Sequence, residues 1–387
     1  MERRFVVLSA SMGAGHDAVA RELARRLRTL GHDVLVQDVL ALLPPGAGPA
    51  LRSFYRASVR HAPRLYAGIY ATFLAPGAGP RPGSSPLAAL AERRLAEVVR
   101  RRRADAVVST FHLAAQITGR MRERGTLDVP STVVVIDFAV HRGWLHPGND
   151  LHLCVTEAAA GAARRATGRP ATAAGPVVPP QFSMAAGSPS GPWRTTFARR
   201  APGRAPVLLS TGAWGVGPGL RSTAQALAQG GFLPVLLCGR DERLRHRAAS
   251  LDGVLALGWV RDMPGLMSAC RVLVDNAAGQ TAVQALAAGL PVVGHRPIPG
   301  HGAEGVREMA AAGLSAYATE PDDLLAEVGR LAQDGPERSR RIATGRAVFT
   351  ADAARLLADL TGSPGELPGP GAVPPDGVPA RDGHPRP

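Results

Sequence analysis

Residues 4–27 read RFVVLSASMGAGHDAVARELARRL. The apolar run Phe5–Leu8 meets a short glycine turn holding one histidine, His16, and helical spacing of apolar positions follows over Ala18–Leu30. Strand, glycine turn and helix in this order open a βαβ unit, whose helix N-terminus offers backbone N–H groups to an anion. The turn, Gly13 to Ala18, fits a loose G-x-G-x-x-A form, and Asp38 follows the second strand where a ribose-binding acid would stand. On the residues alone, a nicotinamide-dependent enzyme stays open, as do glycines that merely let helix and sheet pack closely.

The rhythm continues along the chain. Buried-type runs at Asp33–Val36, Ala106–Ser109, Thr132–Ile136 and Leu151–Val155 predict further strands, and helical patterns at Leu87–Arg101 and elsewhere fall between them. A second series follows at Val207–Ser210, Leu233–Cys238, Val254–Leu257, Val272–Val274 and Pro291–Val293, with helices at Gly219–Gln229 and Thr281–Ala288. Short apolar runs separated by helices predict an α/β fold with parallel sheets. The Pro-, Gly- and Ser-rich stretch Ala171–Arg204 interrupts the pattern. The division expected is a Rossmann-like domain over 1–175, a linker over 176–204, a second such domain over 205–361 and a disordered tail over 362–387.

Composition sets the class. The 387 residues carry a net charge of +14, which favours polyanions in general: an anionic membrane surface, a phosphorylated small molecule or nucleic acid. No aromatic–basic RNA signature or DNA-reading helix is visible, so no nucleic-acid partner is expected. Cys154, Cys238 and Cys270 are isolated, with neither metal spacing nor a disulfide framework, and no apolar stretch approaches the ~20 residues that span a bilayer. A cytoplasmic protein is expected, peripheral at the inner face of the cell membrane if it meets a membrane at all.

A second glycine turn, STGAWGVGPG at 210–219, follows strand Val207–Ser210, and no G-K-[ST] accompanies either turn, which excludes a Walker A site. Behind it come CGRDERLR (238–245), LGWVRDM (257–263), DNAAGQTAVQALAAGLPVV (275–293) and IPGHGAEG (298–305). In the first half stand SASMGAGHDAVA (9–20) and VVVIDFAVHRGWLHP (133–147). In this order the motifs resemble those of the glycosyltransferases that include monogalactosyldiacylglycerol synthases and processive diacylglycerol glucosyltransferases, and more distantly a peptidoglycan N-acetylglucosaminyltransferase.

That resemblance implies the GT-B architecture, two Rossmann-like domains facing across a cleft, and an inverting transfer of a hexosyl or N-acetylhexosaminyl group from a UDP-sugar to a diacylglycerol-like lipid, with no cofactor beyond the donor and no metal. It places Gly212, Gly215 and Gly217 at the diphosphate, Arg240 near the nucleotide, Trp259 and Val260 at the uracil, and Asn276, Gln280 and Thr281 in the loop beneath the phosphates. Gln284 stands where the family carries a ribose-binding glutamate, and Gly300 and His301 replace part of a Gln–Glu pair that meets the sugar. These departures keep a third class open, a non-catalytic nucleotide-sugar or lipid-binding homologue.

Catalysis of this type needs a base for the acceptor hydroxyl. His16 at a helix N-terminus, kept neutral there, is the candidate, with Asp137 the alternative base or the partner that orients a histidine. Gly13, Gly15, His112, His141 and Trp144 are expected to line the acceptor pocket. Between Leu43 and Pro86 an insertion mixes Phe54, Tyr55, Leu65, Tyr66, Ile69, Tyr70, Phe73 and Leu74 with Arg52, Arg56, Arg60 and Arg64. It reads as one basic and one aromatic–aliphatic face, suited either to a bilayer surface or to covering its own domain.

Overall fold

The computed structural model describes residues 2–76, 85–185, 191–213, 215–349 and 351–360. The tail, the middle of the linker, the end of the insertion and Trp214 lie outside them.

Two six-stranded sheets form the frame, and every strand pair within them is parallel. The first comprises β1 (Arg4–Ser9), β2 (Asp33–Asp38), β3 (Ala106–Ser109), β4 (Ser131–Val134), β5 (Leu151–Cys154) and β6 (Ala171–Ala173), in the order β2-β1-β3-β4-β5-β6. The second comprises β7 (Pro206–Leu209), β8 (Leu233–Leu237), β9 (Leu255–Leu257), β10 (Val272–Asp275), β11 (Val292–His295) and β12 (Ser315–Ala318), in the order β12-β11-β10-β7-β8-β9. Helices cover both faces of each sheet, which is why the strands read as unbroken apolar runs. Along β1, Phe5 and Val7 enter one core while Val6 and Leu8 enter the other.

Parallel sheets of this kind bind ligands beyond the strands' carboxyl ends, where the strand order reverses. The reversal falls between β1 and β3 in the first sheet and between β7 and β10 in the second. Both glycine turns therefore open at a switch point.

Two strands escaped the sequence. β6 is three residues long at a sheet edge within the stretch taken as irregular, and β12 carries the exposed Tyr317 amid small residues. The linker is more ordered than its composition suggests: helix Pro192–Arg200 and the turn at Gln181–Met184 bury Phe197 and Phe182 in the second core. The boundary at 361 is corrected too. Helix Ala353–Leu360 returns to the first domain and packs Ala353, Ala354 and Leu357 beside Phe5 and Leu23. Arg26 secures the crossing, donating to Asp352 at 3.3 Å and to the Val178 carbonyl at 2.6 Å.

Candidate functional site

At the first switch point two helices begin side by side, Ala14–Thr29 after β1 and His112–Glu123 after β3. The turn between Ser9 and the first helix is braced by the Ser9 hydroxyl donating to Asp17 at 2.6 Å. His16, in the first helical turn, places Nδ1 2.9 Å from the Thr110 carbonyl. A carbonyl can only accept, so Nδ1 carries the proton and Nε2 of the neutral ring keeps a free lone pair. The His16 ring packs edge-on to Phe111 at 4.8 Å between centroids.

The segment beyond β4 closes the other flank. Trp144, fully buried, donates its indole N–H to Asp137 Oδ2 at 2.7 Å. His141 accepts the Gly143 N–H on Nδ1 at 3.1 Å and holds Nε2 3.6 Å from the same carboxylate oxygen. Its ring lies 5.3 Å from that of His112.

Four histidines thus share one enclosed space. Burial lowers the pKa of His16 against the opposing pull of Asp137, and does the same to His301, which arrives from the second domain. Burial also pushes His112 down to about 3, helped by the His16 and His301 charges, and holds His141 well below the usual imidazole value. At neutral pH these rings are uncharged, and the Asp137 side chain lies among them. Together with Met12, Tyr55, Tyr66, Leu74 and Phe111 they enclose a cavity of about 80 Å³.

The second switch point is built differently. Gly212 and Gly215 have φ of +63° and +66°, a conformation that excludes most side chains. A Cβ at Gly215 would stand 2.8 Å from Asp241 Cβ, and one at Gly217 only 2.2 Å from Asn276 Nδ2. The turn presents backbone to an open groove of about 640 Å³ that also meets Arg60, Arg221 and Arg247. Asn276 shapes the turn by donating to the Val216 carbonyl at 3.2 Å. Beyond β8 and β9, the Arg240 guanidinium lies 4.6 Å from the ring centroid of Trp259, which is half-exposed. Val260, half-buried, packs against the second core.

The insertion joins the two sides. Helices Ala47–His61 and Pro63–Ile69 and the π-helical turn Tyr70–Leu74 stand over the cleft. Arg60 pairs with Asp241 at 2.5 Å, Tyr66 Oη lies 2.6 Å from His301 Nδ1, and the Tyr70 hydroxyl donates to Glu304. Burial raises all three tyrosine pKa values, Tyr55 to about 12, so the phenols keep their protons.

The expected site residues therefore sort into groups. His16, His112, Asp137 and His141 meet in one cavity, and His301, expected at the sugar, joins them from across the cleft. Trp144 does not line it: the indole is wholly buried and orients Asp137 instead. Gly13 and Gly15 hold the turn, and a Cβ on Gly15 would touch Gln280 Cβ at 3.4 Å, so the two domains meet there. The Gln280 amide donates to the Val177 carbonyl at 3.1 Å, which ties it to the linker rather than to a ligand. Thr281 and Gln284 are half-buried on helix Gln280–Ala287. Asp38, the competing ribose acid, caps its own chain by accepting the Leu40 N–H at 2.9 Å. The insertion's two open readings divide between its residues: Tyr66 and Tyr70 are buried inward over the cleft, while Phe54, Leu65 and Phe73 are exposed. Glu304 was missed altogether. The signal was residue type: the inward positions are tyrosines, whose hydroxyls need partners, and the outward ones lack a polar atom.

Among the described residues no group of three or more His, Cys, Asp or Glu is placed to hold a metal ion, and no helix is long and apolar enough to cross a membrane. The three cysteines are free and buried.

Both halves of the chain resemble known proteins. Residues 16–177 match the sequence profile of monogalactosyldiacylglycerol (MGDG) synthase, and residues 219–334 that of glycosyl transferases group 1. The chain is 23% identical over 341 residues to a processive diacylglycerol beta-glucosyltransferase of Bacillus subtilis, covering 86% of this chain and 87% of that protein. A Staphylococcus aureus protein of the same name is 20% identical over 363 residues, covering 88% of each chain. Among solved structures, MurG of Acinetobacter baumannii superposes with a TM-score of 0.56 at 16% identity, over 94% of this chain and 99% of that one. Anabaena Alr3699/HepE, solved in complex with UDP-glucose, gives 0.56 at 16% identity over 93% and 98%. The fold is GT-B, and the resemblance read from the motifs holds across both domains.

Proposed function

We propose that this chain, a relative of the MGDG synthases and processive diacylglycerol glucosyltransferases, is a glycosyltransferase that moves a hexosyl or N-acetylhexosaminyl group from a UDP-sugar to a diacylglycerol-like lipid with inversion. The observation that carries it is the pairing of two unlike surfaces across one cleft: a neutral histidine with a free Nε2 on one side, a glycine turn that brings backbone to an open groove on the other.

In this reading the nucleotide lies along the groove at Gly212–Gly217, its diphosphate against the turn and the N-terminus of helix Gln280–Ala287, where backbone dipoles favour the growing charge of the leaving group. Arg240 and Trp259 form the wall at the base end. His16 Nε2 takes the proton of the acceptor hydroxyl as that oxygen attacks the anomeric carbon from the face opposite the diphosphate. The imidazolium that forms is stabilised by Asp137, itself held by Trp144 and His141. The donor is the one cosubstrate this route requires.

The outer face of the insertion suits the acceptor's location. Phe54, Leu65 and Phe73 are exposed beside the exposed Arg52, Arg56 and Arg64, an apolar–basic surface of the kind that settles on anionic lipid headgroups. We propose peripheral contact with such a membrane surface at this face. The test is direct: incubate the protein with UDP-glucose, UDP-galactose and UDP-N-acetylglucosamine, with and without vesicles containing diacylglycerol and phosphatidylglycerol, and follow UDP release and glycolipid formation. Glycolipid from one donor, dependent on diacylglycerol, is expected. UDP binding without turnover on any lipid would move the chain to the non-catalytic class.

A further inference from the structure

The insertion makes two contacts with the second domain that look alike chemically. Tyr66 Oη shares a hydrogen bond of 2.6 Å with His301 Nδ1, and the Tyr70 hydroxyl donates to the Glu304 carboxylate. His301 and Glu304 stand three residues apart in the first turn of helix His301–Ala311, so they occupy one face. Tyr66 and Tyr70 are four apart and likewise share a face.

Both side chains pack against the backbone before that helix. Gly300 has φ of +81°, and a Cβ there would stand 2.9 Å from Tyr70 Cγ and 3.3 Å from a Tyr66 ring carbon. The cavity left between the Tyr66 ring, His301, His16 and Asp137 is about 80 Å³, against the ~300 Å³ and upward of pockets that hold small ligands. As the cleft stands, a sugar ring beside His301 and Glu304 requires the tyrosines to withdraw.

We infer that Tyr66 and Tyr70 are internal placeholders for hydroxyls of the donor sugar. A phenol offers what a pyranose offers: a hydroxyl carried on a six-membered ring whose faces make apolar contact. His301 and Glu304 then exchange a tyrosine hydroxyl for a sugar hydroxyl when the donor arrives. The exchange also releases the insertion, so that donor occupancy frees the segment whose outer face carries Phe54, Leu65 and Phe73. UDP alone, lacking the sugar, leaves both contacts in place. The inference rests on the nucleotide-sugar reading above and adds to it a built-in competitor for the sugar subsite.

The experiment compares Tyr66→Phe, Tyr70→Phe and Glu304→Gln with the parent protein, measuring UDP, UDP-glucose and UDP-galactose binding by calorimetry. Each tyrosine variant keeps its ring, and thermal unfolding checks that the fold survives. The expected result is tighter binding of a nucleotide-sugar in the tyrosine variants, by about three- to tenfold, the scale of one net hydrogen bond no longer in competition. UDP affinity should stay unchanged. Glu304→Gln should weaken the nucleotide-sugar and leave UDP alone. Weaker nucleotide-sugar binding in the tyrosine variants would overturn the inference, since the tyrosines would then be holding or touching the sugar. Equal changes for UDP and the nucleotide-sugars would overturn it as well. Failure of the parent protein to bind any of the three ligands would instead remove the donor reading, and this inference with it.

Discussion

The two sheets meet the cleft in opposite ways. Beyond β1, β3 and β4 the first domain presents side chains: three imidazoles and a carboxylate, with His16, His141 and Asp137 each held by a named partner. Beyond β7 and β10 the second domain removes side chains and presents backbone, with Gly212, Gly215 and Gly217 in a turn that tolerates nothing larger at two of the three positions. The contrast separates two tasks. Moving a proton needs a group of tuned basicity, whereas holding a diphosphate needs many weak donors at short range. Substitutions on the two sides should therefore fail in different ways.

The largest effect belongs to His16. Replacing it with alanine should lower kcat by roughly 10²–10⁴-fold, the usual contribution of a positioned base, while UDP affinity stays nearly unchanged. Full turnover in that variant would make His16 a structural member of the turn and pass the role of base to Asp137. Loss of UDP binding would place the nucleotide on the first domain and reverse the comparison.

Gly217→Val tests the opposite side. Its Cβ would stand 2.2 Å from Asn276 Nδ2 and 3.1 Å from Leu220 Cδ2, so either the turn or the Asn276 bond to Val216 must give way. UDP affinity should fall by at least about 100-fold, as several backbone contacts are lost together. The unfolding midpoint should move little, because the turn borders an open groove rather than a core. Unchanged UDP affinity by calorimetry would move the diphosphate elsewhere.

Acid should act through the histidines buried in the cleft. His16, His112, His141 and His301 all have folded pKa values below the ordinary 6.5, chiefly through burial. The unfolded chain takes up these protons first as pH falls below 6.5, so stability is full above that value and declines with acid toward the folded values. For His112 the window runs from about 6.5 down to about 3. Urea midpoints measured across this range should fall with acid, and His112→Asn should flatten the slope by about one proton. A slope that His112→Asn leaves unaltered would show that the ring is already solvated in the folded chain.

How much of this was legible differs between the two sides as well. Glycine turns follow strands in sequence, so Gly212, Gly215, Gly217 and His16 were readable from local order. The strand runs were readable for a related reason, since a strand buried on both faces has little choice but a short apolar run. What was not readable depends on distant pairing. Nothing local tells Tyr70 that Glu304 will face it, or brings helix Ala353–Leu360 back to Leu23, because these contacts span most of the chain and repeat with no period. Trp144 was misplaced for the same reason. Its neighbourhood in sequence marked it as part of the pocket, but only the fold shows its indole turned behind Asp137.

The smallest effect bears on the second-domain side chain expected to meet the ribose. Gln284 sits in the second turn of helix Gln280–Ala287, half-buried, where the resemblance calls for a ribose-binding glutamate. A carboxylate accepts from both ribose hydroxyls, whereas a carboxamide offers one acceptor oxygen and a donor. Gln284→Glu should tighten UDP by about 1 kcal/mol, roughly fivefold, if the side chain faces the ribose. The gain should shrink for 2′-deoxy-UDP, which lacks one of the two hydroxyls the new carboxylate would hold. A gain that persists in full with the deoxy analogue, or no gain at all, would place Gln284 off the ribose. The second side of the cleft would then hold its ligand through backbone and the Arg240–Trp259 wall, with no side chain on the ribose.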